Sequence, residues 1–190
     1  MLPCVLGVDQ SATSTGVCVL DKAGTLLYLE RIVPSPGLSE GARLVLIHDT
    51  LKDIIANYPS MQLAVMEGYS YGSTNKKFVL GEVGGVVKLV MATMDLPLYG
   101  ASPTQLKKFV TGDSKADKDK ISKFIQRKWG VEITQNDKAD AYGLAQIGLQ
   151  ISGNATSTDR KELEVINNLI NKPLKKIKKR IKLGVFTSAI

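Results

Sequence analysis

Apolar and polar positions along the chain divide it into short runs of two kinds. Residues 4–8 form an unbroken apolar run closed by Asp9, and after a polar loop at 10–14 a second run covers 15–20. A turn at Asp21-Lys22-Ala23-Gly24 leads to a third stretch over 25–33, so the chain opens as a β-meander. Pro34 to Gly41 reads as a loop. Leu44, Ile47, Leu51, Ile54 and Ile55 then recur at helical spacing, and Tyr58-Pro59 ends that helix. A fourth strand spans 63–67, closed by Glu67. The loop at 68–77 precedes a long segment over 78–94 that is apolar on several sides, and Gly81, Gly84 and Gly85 would let another backbone approach it closely. A short fifth strand over 96–100 is followed by helices at 102–109, 115–129 and 139–151. The order βββαβαβααα is a mixed α/β pattern with an antiparallel start. The Ser-, Thr- and Asn-rich stretch 153–159 reads as a linker, dividing a domain at 1–152 from a helical and basic segment at 153–190.

Length and composition agree with this division. The 190 residues suffice for one domain with a proper core plus a tail, and 44% hydrophobic with 23% charged residues is ordinary for a globular protein. No apolar run approaches the roughly 20 residues that span a bilayer, and Met1-Leu2-Pro3 leads directly into a strand without a secretory pattern. Cys4 and Cys18 lie in apolar runs without metal-ligand spacing and read as small core residues, with a reducing cytoplasm as the expected compartment. The net charge of +7 is local. Lys172, Lys175, Lys176, Lys178, Lys179, Arg180 and Lys182 contain no acid among them, and the other 18 basic groups balance 18 acidic ones. Such a block suits a polyanion, and nucleic acid is the expected partner.

Four acids stand where packing gives no reason for them. Asp9 and Glu67 close buried strands, and Asp137 and Asp140, three apart at the start of a helix, share one face. If the fold brings the three pieces together, like charges repel by several kcal/mol unless cations intervene, and hard oxygen ligands favour magnesium or manganese. Two such ions about 4 Å apart can activate water, orient a phosphodiester and neutralise charge on its leaving oxygen. Asp9, on the first and central strand, is the candidate for bridging both ions. A structural explanation also exists for two of the acids: Asp137 as a helix cap and Asp140 as a complement to the helix dipole.

The segment Gly7-Val8-Asp9-Gln10-Ser11-Ala12-Thr13-Ser14-Thr15-Gly16, then Met66-Glu67, then Gln105-Leu106-Lys107 to Lys118, then Asp137-Lys138-Ala139-Asp140-Ala141, resembles the RuvC family of Holliday-junction resolvases over roughly residues 4–151. The resemblance implies an RNase H-like fold, a mixed five-stranded sheet with helices on both faces, and a homodimer that nicks symmetrically related strands of a four-way DNA junction with magnesium. By motif it implies metal ligands at Asp9, Glu67, Asp137 and Asp140 and catalytic lysines at Lys107 and Lys118. Lys118 would stabilise charge on the transferring phosphoryl group, and Lys107 would hold a neighbouring phosphate. Two departures stand out. Bacterial members commonly carry an aromatic three residues after the second acid, where this chain has Ser70, and the flanking Tyr69 and Tyr71 are candidates for stacking on an unpaired base. The basic block also exceeds the family pattern and points to a more DNA-tethered branch of viral type. Lys108, Lys115, Lys175, Lys176, Lys178, Lys179 and Arg180 complete the expected DNA-binding set.

Three competing readings remain open on sequence alone. A broader flap or fork nuclease would use the same acids. The Asp9 to Gly16 loop also resembles the phosphate loop of actin-like kinases and ATPases, but those need two lobes and this length supplies one. In an architectural DNA-binding protein the basic segment would do the work and the acids would be structural.

Overall fold

A computed structural model describes residues 2–11, 13–68 and 77–171, without the side chains of Lys77, Lys118 and Asp119. At its centre is strand β1 (Cys4–Asp9), which pairs antiparallel with β2 (Thr15–Asp21) and parallel with β4 (Met61–Glu67). Strand β3 (Leu26–Ile32) extends the sheet beyond β2 and β5 (Leu98–Ala101) extends it beyond β4, for an order of β3-β2-β1-β4-β5. Because alternate residues of a strand face opposite sides, an unbroken apolar run is what a sheet covered on both faces requires. Cys4, Leu6, Val8, Val17, Val19, Ala64 and Met66 pack under α1 (Glu40–Asn57) and α2 (Lys77–Thr93). Val5, Cys18, Leu20, Leu63 and Val65 face the other way, under α3 (Pro103–Thr111), α4 (Lys118–Trp129), α5 (Asn136–Ile151) and α6 (Arg160–Asn171). The mixed five-stranded sheet with helices on both faces is thus present as expected. Cys4 and Cys18 are buried and unbridged.

Helix α5 lies directly on the sheet, and two glycines make that possible. A Cβ on Gly7 would come within 2.1 Å of the Ala141 carbonyl oxygen, and one on Gly16 within 2.1 Å of the Asp137 carbonyl oxygen. With no side chain at either position, backbone meets backbone and α5 is buried continuously from Ala139 to Leu149. Its first turn therefore lies across the ends of β1 and β2.

Several element limits differ from the sequence reading. Helix α4 starts at Lys118 rather than 115, because Asp113 accepts a bond from the Lys115 backbone N–H at 2.9 Å and holds that stretch as a turn. Helix α5 begins at Asn136, three residues early, with Gln135 at its N-cap, so Asp137 lies inside the first turn and does not cap it. Pro97 delays β5 to Leu98. Beyond residues 153–159, α6 packs Val165, Ile166 and Leu169 into the core on the α5 side. Its buried Glu162 pairs with Lys128 and accepts a bond from Gln150 at 3.0 Å, while Lys128 lies over the rings of Phe109 and Trp129. Trp129 packs against Phe109 and Tyr142, a core role rather than a base-stacking one. Among the described residues no helix is long and apolar enough to cross a membrane.

Candidate metal centre

Strands β1 and β4 run parallel with Val8 opposite Met66, so the next residue of each, Asp9 and Glu67, leaves the sheet side by side. Both share the face of Val5 and Val65, the one that α5 covers. The contact of α5 with Gly7 and Gly16 brings Asp140 down onto the same point. One carboxylate oxygen from each of Asp9, Glu67 and Asp140 lies within 4.8 Å of the others. Asp9 and Asp140 are buried, at 7% and 6% exposure, and Glu67 is partly buried.

Bringing acids together out of water penalises their charged forms. Burial first, and then the carboxyls of Glu67 and Asp140, raise the Asp9 carboxyl well above the usual carboxylate range; a hydrogen bond to Glu67 and the charge on Asp137 push the same way. Three hard oxygen donors around one point, with the charged form of Asp9 disfavoured by burial and its neighbours, form a set that a divalent cation would relieve. The adjoining loop carries further buried oxygens. Gln10 donates from Nε2 to the Glu67 carbonyl at 2.9 Å, which ties the ends of β1 and β4 together, while its Oε1 and the Ser14 hydroxyl are buried without a hydrogen-bond partner among the described residues. These residues fit a bound divalent ion.

The fourth acid is placed differently. Asp137 stands outside the 4.8 Å group, and its Oδ2 lies 3.8 Å from Nη1 of Arg31 on β3. The next residue, Lys138, pairs with Glu30 at 2.8 Å. Lys107 is partly buried on α3, the helix that opens with a Ser102–Gln105 capping box just after β5. Lys108 pairs with Glu164 of α6 at 2.6 Å, and Lys115 is exposed in the turn before α4. Tyr69, Tyr71, the side chain of Lys118, and Lys175, Lys176, Lys178, Lys179 and Arg180 lie outside the described residues. Gln10, Glu30 and Arg31 escape sequence reasoning. An amide and an ordinary surface ion pair look like any others until strand register places them beside the acids.

The family model for crossover junction endodeoxyribonuclease RuvC matches residues 5–148, from the first strand through most of α5. The chain belongs to the RuvC family. A RuvC from Synechococcus sp. (strain WH7803) is 31% identical over 149 residues, covering 76% of this chain and 96% of the relative. One from Caldicellulosiruptor saccharolyticus is 31% identical over 147 residues, covering 74% and 89%. Among solved structures, Thermus thermophilus RuvC superposes with a TM-score of 0.67 at 22% identity, covering 78% of this chain and 93% of that one. T. thermophilus RuvC in complex with a Holliday junction substrate gives 0.69 at 21%, covering 79% and 93%. At those identities the structural likeness is one of fold, and it agrees with the RNase H-like architecture expected from the motifs.

Proposed function

We propose that this RuvC-family enzyme resolves four-way DNA junctions by paired nicks, with magnesium at the centre formed by Asp9, Glu67 and Asp140. The observation that carries the reading is the convergence of those carboxylates, from two strand ends and a helix, within 4.8 Å. Family membership supports it, as does the junction bound to the T. thermophilus relative. Asp9, Glu67 and Asp140 would hold the ions, with Asp137 joining them and Asp9 bridging. Bound there, two divalent ions would supply activation of the attacking water and neutralisation of the leaving oxygen. The chain's own contribution is positional. Gly7 and Gly16 set the depth of Asp140, Gln10 fixes the strand end that carries Glu67, and burial keeps bulk water from screening the acids. Lys107 and Lys118 would stabilise phosphoryl charge, with Lys108 and Lys115 on flanking phosphates and Tyr69 or Tyr71 stacking at the crossover.

The segment 153–190 serves on this reading as a DNA-holding extension of the domain at 1–152. Asn168 and Leu169, in the last turn of α6, line one cavity with Gly100 and Gln105, and Gly100 lies opposite Met66, the residue before Glu67. On this reading the basic residues between 172 and 182 supply that hold on DNA. A homodimer matches the two symmetric cuts. In support, a Cβ on Gly81 or Gly85 would meet nothing within 4 Å among the described residues outside its own helical turn, and Phe78 and Leu89 of the same helix are 83% and 54% exposed, giving α2 an apolar surface. Two unbridged cysteines suit a reducing cytoplasm.

The test is a cleavage panel of four-way junctions, flaps, forks and linear duplex with magnesium. Junction preference with paired, symmetric nicks is the expected result. Equal cutting of flaps or forks would replace the resolvase with a broader branch nuclease, and binding without any cutting would leave an architectural protein.

A further inference from the structure

Four residues stand level across the sheet on the face that α5 covers. Arg31 on β3 is opposite Gly16 on β2, Gly16 is opposite Asp9 on β1, and Glu67 on β4 follows. The row thus reads cation, blank, acid, acid, at about 4.8 Å per strand. The backbone of Asp137 rests on the blank, since its carbonyl oxygen would lie 2.1 Å from any Cβ on Gly16. Asp137 is therefore rooted between Arg31 and the centre, and its carboxylate turns to Arg31 at 3.8 Å. The neighbouring Glu30–Lys138 pair, at 2.8 Å, ties the same two elements together one residue before Arg31 and one after Asp137. This register does more than neutralise surface charge. It places a guanidinium on the far side of Asp137 from the three grouped acids.

We propose that Arg31 is a positioning residue that holds Asp137 away from the Asp9–Glu67–Asp140 group until a divalent ion draws it across. The inference rests on the metal-dependent reading above. In the metal-free protein the arrangement keeps a fourth negative charge from joining three crowded acids. On loading, the ion must take Asp137 from Arg31, so ion affinity is lower than the four acids alone would give.

The experiment is Mn2+ binding to the full chain without DNA, read by electron paramagnetic resonance of free Mn2+. Both side chains of the pair are about one-third exposed, so the competing bond is a modest one. Arg31→Gln, and Arg31→Met, which keeps the aliphatic stem, are expected to bind Mn2+ about two- to fivefold more tightly than wild type. Arg31→Lys should remain near wild type. In an Asp137→Asn background the effect of Arg31→Gln should vanish. Unchanged or weaker binding by both neutral variants overturns the proposal. So does an equal gain in the Asp137→Asn background, which would mean that Arg31 acts only by repelling the ion through space. Failure of wild type to bind Mn2+ at all would instead remove the metal-dependent reading itself, so the two failures are distinguishable.

Discussion

Replacing Asp9 by Asn should make the metal-free protein more stable. The three carboxylate oxygens lie within 4.8 Å of one another. Two full charges at that separation repel by about 3.5 kcal/mol at an effective dielectric constant of about 20. Protonation of Asp9 relieves part of this, and burial with the nearby Glu67 and Asp140 raises its carboxyl accordingly. A carboxyl raised in the folded state contributes stability that is fully present below its unfolded value of about 4 and is lost as pH climbs through the folded value. Asn is neutral at every pH, is nearly isosteric, and can donate to Glu67 as the protonated acid does. The variant should therefore gain about 1–2 kcal/mol at pH 8, or about 2–8 °C in Tm for a chain of this size. The gap should close towards pH 4. Thermal melts followed by circular dichroism in EDTA, from pH 5 to 9, measure this directly. Magnesium should then reverse the order, raising the wild-type Tm by mass action and that of the variant much less. A variant less stable than wild type at pH 8 in EDTA, or a gap independent of pH, would refute the reasoning.

The other predictions concern how the centre is supported. Gly7→Ala and Gly16→Ala each drive a Cβ into α5 backbone and should lower stability in urea by about 3 kcal/mol or more, whereas Gly81→Ala meets open space and should leave the monomer as stable or slightly more so. Glu162→Ala leaves the Gln150 amide and the one-third-exposed Lys128 without their acceptor and should lower urea-melt stability by about 1–2 kcal/mol, although Glu162 is far from the acids in sequence. Deleting residues 172–190 should weaken junction binding and flatten its salt dependence by about 0.9 for each phosphate that is no longer neutralised, with cleavage of saturated complexes retained; an unchanged slope on titration with salt would reduce that segment to a solvated appendage.

How far the sequence was legible depended on whether a feature was local. Asp9 and Glu67 could be singled out because each ends a run whose apolar character demands a buried strand, where apolar packing gives no reason for a carboxylate. Asp140 followed from its spacing to Asp137 on one helix. The separate placement of Asp137 was not legible, because its partner Arg31 is set by register across two antiparallel strand pairs far away in the chain. The depth of α5 was equally hidden: Gly7 and Gly16 look like ordinary strand glycines until a helix backbone rests on them. Packing by α6 was obscured by Glu162, a charge at a core position that Lys128 and Gln150 around it make reasonable. The late start of α4 reflects turn chemistry at Asp113 overriding a basic stretch of good helix formers.

The central claim is that these acids perform DNA cleavage rather than merely support the fold. Its most direct test is magnesium-dependent cutting of a synthetic four-way junction by wild type and Asp9→Asn, with binding measured in parallel in calcium. Wild type is expected to give paired nicks, and the variant to bind without cutting, because the site loses a ligand while the DNA surface keeps its charge. Cutting by Asp9→Asn at the wild-type rate would contradict the claim.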